Sequence, residues 1–474
     1  MILNPLKKKA VRQLILLDYL GSSLAWFLFW IHRQHLLTKL SYSEILPIFN
    51  LRDYINTLII IPFSWLFAFW VSGTYFDLYR KSRLNEINRT LISCILGCII
   101  VSIFVFANDT RDYSYFIRAA TNYLFIQTTI ILILRLFILY IVKLNLIKHI
   151  VGFNTLIIGG NQKAIDIYQQ VLDNPKVLGN LFLGFIYSNK ESSNGMSKFL
   201  PQLGHLSQLE EIIDKYDIEE VIVAVDSAEH HLLENILTRL CYRPVVVKVL
   251  PDYYDILSGS VKTSNVYDAI LIHIHPELMP DWQRVCKRII DVTFSIISLL
   301  LLLPFLLLNA ILVKLSSKGA IFYKQERIGL YGKPFNIYKF RSMYVDSEQS
   351  GPALSSKLDP RITKWGRFMR KWRIDELPQF FNIIIGDMSL VGPRPERKHY
   401  IDIISNKNPH YKYLHKVKPG LTSWGMVQFG YAENVDEMIE RMKYDLLYIE
   451  NCSLALDVKI ILYTFTVIFQ GRGK

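Results

Sequence analysis

Two adjacent carboxylates, Asp375 and Glu376, are the residues with the plainest chemical potential. They sit in Arg370-Lys-Trp-Arg-Ile-Asp-Glu-Leu-Pro-Gln379, with Arg367, Arg370, Lys371 and Arg373 close by in sequence. Nearby cations favour an ionised carboxylate and lower its pKa. An ionised aspartate can attack phosphorus and form an acyl phosphate. A carboxylate pair also suits a magnesium ion, which prefers oxygen ligands and shares them with substrate phosphates. Taken alone, the cluster is better explained as ion pairs on a helix surface. Its surroundings turn the argument.

Upstream, Lys339-Phe-Arg-Ser-Met343 places Lys339 and Arg341 on one side of an extended segment, because strand side chains alternate with a period of two. Two cations on one face suit a diphosphate; a solvated charged strand fits the same pattern. Downstream, Gly386-Asp-Met-Ser-Leu-Val-Gly-Pro-Arg-Pro-Glu396 locks Arg394 between two prolines, whose fixed φ stiffens the loop. An arginine held there can grip phosphate with its planar, multi-donor head. Val417-Lys-Pro-Gly-Leu-Thr-Ser-Trp424 adds a turn carrying a cation, Lys418, and an aromatic ring.

The scaffold for these motifs is oily. Of 474 residues, 51% are hydrophobic, and the mean hydropathy is +0.23, which excludes an ordinary soluble enzyme. Residues 284–474 hold 29 Lys+Arg against 17 Asp+Glu, a net of +12, whereas residues 1–283 hold 25 against 24. The basic field therefore belongs to the part with the motifs, and it favours anionic partners. Cys94, Cys98, Cys241, Cys286 and Cys452 show neither metal spacing nor a disulfide framework, which fits a reducing compartment.

Four apolar runs, near Leu14–Ile31, Leu58–Phe76, Leu91–Ala107 and Tyr123–Val142, each approach the ~20 residues that cross a bilayer as helix. Basic residues precede the first, fill the loop after the second and follow the fourth. The positive-inside rule then puts both the N-terminus and everything after about residue 143 in the cytoplasm. Arg135 lies inside the fourth run, where it snorkels, pairs within the bundle or serves a function. Residues from about 153 to 270 alternate strand and helix patterns, as in a parallel α/β sheet of Rossmann type. Gly159-Gly160 after the first strand fits a phosphate cradle or a packing role, and the full glycine fingerprint is absent. A further apolar run, Phe294–Val313, has Pro304 in its middle and basic residues on both flanks. A helix broken there enters the membrane and returns, leaving both flanks on one side. Leu456–Phe469 fits an interfacial helix, a subunit contact or a packed terminal helix.

From about Lys287 onward the sequence resembles the polyprenyl-phosphate hexose-1-phosphate transferases, the initiating sugar transferases of bacterial exopolysaccharide, capsule and O-antigen synthesis. The Lys339–Met343, Asp375–Gln379, Gly386–Glu396 and Lys418-Pro-Gly-Leu-Thr422 motifs, in that order, carry the resemblance. It implies a multi-domain membrane protein of the large branch: a four-helix transmembrane domain (1–150), a Rossmann-like α/β domain (151–275) and an α/β catalytic domain (280–474) anchored by a re-entrant helix that breaks at Pro304. It also implies that Asp375 attacks a UDP-sugar and releases UMP, with Glu376 as its partner. Asp375 and Glu376 would hold Mg2+; Lys339, Arg341, Arg370, Arg394, Glu396 and Lys418 would bind substrate. The expected partners are a UDP-sugar, polyprenyl phosphate and the lipid bilayer, without nucleic acid, in a protein that a homodimer would suit. The expected place is the bacterial inner membrane, crossed several times, with the catalytic domain cytoplasmic. The sequence departs from the family pattern at Leu303 before Pro304, at Arg373 where serine is frequent, and at Ser423 where glycine is common. A membrane glycosyltransferase that releases UDP, and a nucleotide-sensing membrane scaffold, are the competing readings. Single cysteines placed near residues 284 and 324 should label from the same side of the membrane; labelling from opposite sides would mean an ordinary crossing.

Overall fold

The computed structural model describes residues 5–106, 113–173, 179–187, 195–225, 230–240, 243, 245–249, 272–274, 278–345, 359–430, 432 and 434–469. The chain forms two compact units, Met1–Phe153 with Val171–Leu181, and Asn154–Gln170 with Phe182–Lys474.

The first unit is built on four helices long and apolar enough to cross a membrane: α1 (Pro5–Thr38), α2 (Leu51–Val71), α3 (Arg83–Val105) and α4 (Tyr113–Ile147). Helix α1 packs on α2 and α4, and α3 packs on α4. Their faces are arranged for a hydrocarbon solvent. Leu16, Leu20, Leu24 and Leu28, spaced four apart on one face of α1, all point outward, while Asp18 and Ser22 are fully buried. In water that apolar stripe would cost ~25 cal/mol for each exposed Å²; in a bilayer it is the solvated surface.

Arg135 lies at the centre of the buried polar groups and resolves the three readings in favour of pairing. Its Nε and Nη2 donate to the Asp18 carboxylate at 3.1 and 2.8 Å, and Nη1 donates to Thr90 Oγ1 at 2.7 Å and to Glu86 at 3.4 Å. Tyr75 OH also donates to Asp18, and the guanidinium lies 3.9 Å from the centre of the Phe69 ring. Three helices thus share one cation.

The second unit begins with a six-stranded sheet: β1 (Phe153–Ile158), β2 (Asn180–Tyr187), β3 (Gln202–His205), β4 (Glu220–Val223), β5 (Val246–Val249) and β6 (Ile272–Ile274). The order is β3-β2-β1-β4-β5-β6, with β1, β4 and β5 parallel and β6 an antiparallel edge, the doubly wound arrangement the alternating pattern predicts. Helices α5 (Gln162–Asp173), α6 (Leu209–Lys215) and α7 (His230–Leu240) accompany it. The short strands β3 and β6 and helix α7 lack a pattern strong enough to read from sequence. Cys241 lies outside the described residues, as does Leu250, the last residue of Val245–Leu250, which the sequence pattern marks as a further strand.

Helix α8 (Asp281–Ser316) follows, about 54 Å of helix at 1.5 Å per residue, far more than the ~30 Å hydrocarbon core requires. Pro304 lies inside it, and the helical run continues through it rather than stopping there. A proline bends such a helix, because it lacks an N–H and its ring crowds the carbonyl of Leu300. Around it Leu300, Leu301, Leu307, Leu308, Ile311 and Leu315 are exposed. Both ends of α8 grip the domain that comes after it. Near the start, Lys287 donates to Val391 O at 3.0 Å, Arg288 to Ile383 O and Ile384 O, and Asp291 accepts from Ser389 Oγ and Leu390 N. Near the end, Asn309 accepts from Trp365 Nε1, and Val313 packs with Phe340 and Met369.

That domain carries a hairpin of β7 (Phe322–Ile328) and β8 (Pro334–Phe340), and a parallel pair, β9 (Ser389–Val391) and β10 (Gly420–Thr422). Its helices are α9 (Lys364–Lys371), α10 (Gln379–Ile385), α11 (Lys398–Lys407), α12 (Trp424–Gln428), α13 (Val435–Glu450) and α14 (Leu454–Phe469). The terminal helix α14 is packed on one side, where Ile460 is buried and Asp457 bonds Lys287 and Tyr448, and apolar outward at Val458, Leu462 and Tyr463.

Removing the Arg135 charge should expose what the buried network contributes. Arg135→Met leaves the buried Asp18 carboxylate without its cation and Glu86 with Lys81 alone, so stability should fall by ~3–5 kcal/mol. Thermal unfolding in detergent checks this, and Asp18→Asn in the same background should recover much of the loss.

Candidate active site

The carboxylate pair is placed by a chain reversal. Helix α9 starts at Thr363, whose Oγ1 accepts from Gly366 N at 2.9 Å, a side-chain N-cap. Gly366 is required by close approach: a Cβ there would lie 2.0 Å from Ser342 O. This brings α9 against the strand-end residues 341–342, so that Arg370 Nε donates to Ser342 Oγ at 2.9 Å. The chain then turns through Arg373 in the left-handed region, φ +54 and ψ +25, a sparsely populated conformation for a non-glycine residue. A 3-10 turn, Ile374–Glu376, carries the pair, and α10 begins after Pro378.

Asn382, fully buried on α10, fixes the opposite side. Its Oδ1 accepts from Tyr338 N at 3.1 Å and its Nδ2 donates to Asn336 O at 2.7 Å, so the side chain completes the hydrogen bonding of β8. Lys339 is thereby brought to Glu376, and its Nζ donates to Glu376 Oε1 at 2.8 Å. Arg394, from the loop after β9, donates Nη2 to the same oxygen at 3.2 Å and Nη1 to Met426 Sδ at 3.1 Å. Arg373 Nη1 stands 4.0 Å from Glu376 Oε2. Asp375 is equally buried, yet it makes no ion pair or side-chain hydrogen bond with a described residue.

The two carboxylates therefore titrate apart. Burial alone would raise both. For Glu376 the charges of Lys339, Arg394 and Arg373 overcome burial and hold the carboxyl well below the usual range. For Asp375 burial and the negative charge of Glu376 outweigh Lys339, Arg370 and Arg394, and its pKa is pushed up. The sequence expectation of a lowered pKa is thus met by Glu376 and reversed for Asp375, because one low-dielectric site cannot ionise two adjacent carboxylates at equal cost. Burial also lowers the Lys339 ammonium, against the pull of Glu376.

Of the expected substrate-binding residues, the fold gathers Lys339, Arg370 and Arg394 around the pair and sends three elsewhere. Lys339 and Arg341 do not form one cationic face: Arg341 Nη2 donates to Ser317 O at 2.6 Å and Val313 O at 3.4 Å, closing the end of α8. The strand ends at Phe340, and carbonyls at the end of α8, on Val313 and on Ser317 just beyond it, claim the next cation. Glu396 is buried between Arg441 Nη2 at 2.8 Å and Arg327 Nη1 at 3.1 Å, so both its oxygens hold the loop in place. Lys418 lies beside Arg288 and Gly386, at the end of α10. Asn382, Ser342, Arg441 and Asp291 escaped the sequence reading. A lone polar residue in an apolar run, as at Asn382 and Asp291, was the available signal.

For a magnesium ion the pair offers Asp375 and the Oε2 edge of Glu376, since Oε1 is committed to Lys339 and Arg394. No group of three or more His, Cys, Asp or Glu that could hold a metal occurs among the described residues. Two carboxylates with phosphate oxygens completing the shell is the manner in which magnesium is commonly held.

Residues 282–471 match the family described as bacterial sugar transferase. Over 97% of both chains, the sequence is 32% identical to an uncharacterized sugar transferase of Haemophilus influenzae. The chain belongs to the bacterial sugar transferase family. It is 29% identical to a UDP-glucose:undecaprenyl-phosphate glucose-1-phosphate transferase of Klebsiella pneumoniae, over 91% of this chain and 94% of that one. It is 36% identical to a UDP-N-acetylgalactosamine-undecaprenyl-phosphate N-acetylgalactosaminephosphotransferase of Aeromonas hydrophila, over 58% of this chain and 66% of that one. In another relative, a glucose-1-phosphate transferase of Xanthomonas campestris, the aligned part spans 56% of the length. This member of the family is thus a membrane protein with several apolar helices and a Rossmann-like middle domain.

Residues 71–251 match a family described as a CoA-binding domain. In this chain the glycines after β1 have packing reasons. A Cβ on Gly159 would meet Ala224 O at 2.5 Å, and one on Gly160 would meet the Tyr187 ring at 2.5 Å. Asn161 Oδ1 accepts from Ala164 N, occupying a donor at the start of α5 that a phosphate would use.

The pKa of Asp375 sets the sign of a pH test. A nucleophilic carboxylate must be ionised, and a raised pKa delays ionisation to higher pH. With Asp375 as the nucleophile that the resemblance implies, the transfer rate should therefore fall on acidification above the ordinary aspartate range. Arg370 lowers that pKa, so Arg370→Met should move the acid limb of the profile to higher pH. Lys339→Met, which removes a cation from Glu376, should cost ~10²-fold or more in rate.

Proposed function

We propose that the protein transfers a hexose-1-phosphate from a UDP-sugar to undecaprenyl (polyprenyl) phosphate, releasing UMP, as the first step of a bacterial surface-glycan synthesis. The observation that carries the proposal is the division of labour within the carboxylate pair. Glu376 is ionised and tied into Lys339, Arg394 and Arg373, while Asp375 lies beside it among cations, with no side-chain partner among the described residues. Relatives with this activity in their names support the substrate class.

In the first step an Asp375 oxygen forms a bond to the β-phosphorus of the donor. The bond from that phosphorus to the bridging oxygen breaks, and the oxygen leaves with UMP. In the second step an oxygen of the lipid phosphate attacks the same phosphorus and displaces the Asp375 carboxylate, giving a lipid diphosphate sugar. Neither step needs a proton transferred by the protein. The work left to the chain is positioning and neutralising charge. Lys339 and Arg394 hold Glu376 and bring positive charge to the phosphate oxygens of the donor, and Arg370, oriented by Ser342, favours the ionised Asp375. Magnesium, held by Asp375 and Glu376 Oε2, would supply further neutralisation of the donor diphosphate.

The topology that suits this chemistry has four crossings by α1 to α4 and a cytoplasmic catalytic domain in the bacterial inner membrane. Helix α8 dips into the membrane and returns. Its two ends binding one domain, with Pro304 between them, support that reading.

Labelled UMP provides the test. Purified protein given UDP-sugar and labelled UMP, without lipid acceptor, should return label to UDP-sugar through the aspartyl intermediate. Asp375→Asn should abolish this exchange and lower turnover by several orders of magnitude. Exchange that requires the lipid acceptor, or that survives in Asp375→Asn, would sink the mechanism, and release of UDP in place of UMP would sink the reaction.

A further inference from the structure

Arg341 has capacity that its capping role leaves unused. The residue is 8% exposed, and Nη2 alone carries its hydrogen bonds to the carbonyls of Ser317 and Val313. Nε and Nη1 are buried with no hydrogen-bond partner, and so is the hydroxyl of Ser317. A guanidinium is always charged and presents its donors as a rigid fork. Leaving two of its N–H edges buried and unmet is costly unless an acceptor arrives. Gly319 lets the backbone pass close to that edge: its φ is +129, and a Cβ there would lie 2.0 Å from Nη1 and 2.8 Å from Val345 Cγ2.

The neighbourhood has two unlike sides. Toward the membrane helix, Leu307, Leu308, Ile311 and Leu315 expose apolar surface on the last turns of α8. Toward the carboxylates, the next residue, Ser342, accepts from Arg370, whose charge acts on Asp375. An unsatisfied cation at the apolar end of α8, one residue from the serine that holds Arg370, matches an amphiphile with an anionic head. We infer that Arg341, through Nε and Nη1 together with Ser317 Oγ, binds the phosphate of a polyprenyl phosphate whose chain lies along the exposed side of α8. The assignment rests on the transferase reading and names the acceptor's place in it. Lys339 and Arg394 remain with the donor.

The test is equilibrium binding of labelled polyprenyl phosphate to the full-length protein in nanodiscs, alongside the corresponding polyprenol, with inorganic phosphate as competitor. The lipid phosphate should bind at least about tenfold more tightly than the alcohol, as expected for charge-assisted bonds. Arg341→Gln should remove that preference, and UDP-sugar affinity should stay unchanged. Because Arg341→Gln also disturbs the end of α8, Ser317→Ala is the second variant: it keeps the carbonyl contact and should weaken lipid phosphate binding several-fold. Equal binding of alcohol and phosphate, unchanged affinity in both variants, or loss of UDP-sugar affinity instead would overturn the inference. So would displacement by inorganic phosphate as effective as the lipid form, which would mark a site for free anions. Binding needs no turnover, so the two proposals fail separately. Protein that holds lipid phosphate through Arg341 but transfers nothing refutes the reaction alone, and active protein with Arg341-independent lipid binding refutes this site alone.

Discussion

The carboxylate of Glu376 is the tie on which the catalytic domain's arrangement depends. One oxygen accepts from Lys339 at the end of β8 and from Arg394 in the loop after β9, so three chain segments meet at a single buried charge. Burying an ion is expensive unless it is paired and hydrogen-bonded. That cost makes the arrangement specific: a shift of any one segment would leave uncompensated charge in a low-dielectric site. The same tie divides the pair, because the charge of Glu376, whose pKa is held low by its cations, pushes up the pKa of its neighbour and leaves Asp375 as the carboxylate without a side-chain partner among the described residues.

The membrane helix contributes to this site from both ends. Asp291 holds Ser389 and Leu390, and Lys287 holds the Val391 carbonyl, so the strand leading to Arg394 is pinned to the start of α8. At the far end Trp365 bonds Asn309, and Arg341 closes the helix beside Ser342, the residue that orients Arg370. The two arginines flanking the carboxylates are therefore each referenced to one end of the same helix. Lys287 and Arg288, which the charge pattern presents as a solvated basic flank, are spent on backbone carbonyls.

The N-terminal unit obeys the same electrostatic rule in a different solvent. Arg135 is buried with Asp18 and Glu86, and aliphatic side chains face outward. Polar groups inside and apolar groups outside is the inverse of a water-soluble bundle, and it arises because hydrocarbon cannot satisfy a charge or a hydrogen bond.

Sequence by itself determined the features that period, composition and local spacing control. The apolar runs that became α1 to α4 and α8, the strand and helix alternation of the sheet, and the gathering of Asp375, Glu376, Lys339, Arg370 and Arg394 were all legible, because each rests on residue type and short-range pattern. The tertiary structure alone decided how the charges were shared. Arg341 and Lys339, two apart in a strand-like segment, diverge because the strand ends between them and carbonyls at the end of α8 compete for the second cation. Glu396 became a structural anchor because Arg441, 45 residues away, reaches it. Asp375 rose and Glu376 fell at equal burial because Lys339 and Arg394 bond Glu376 and not Asp375, a choice of partner that has no signature in sequence.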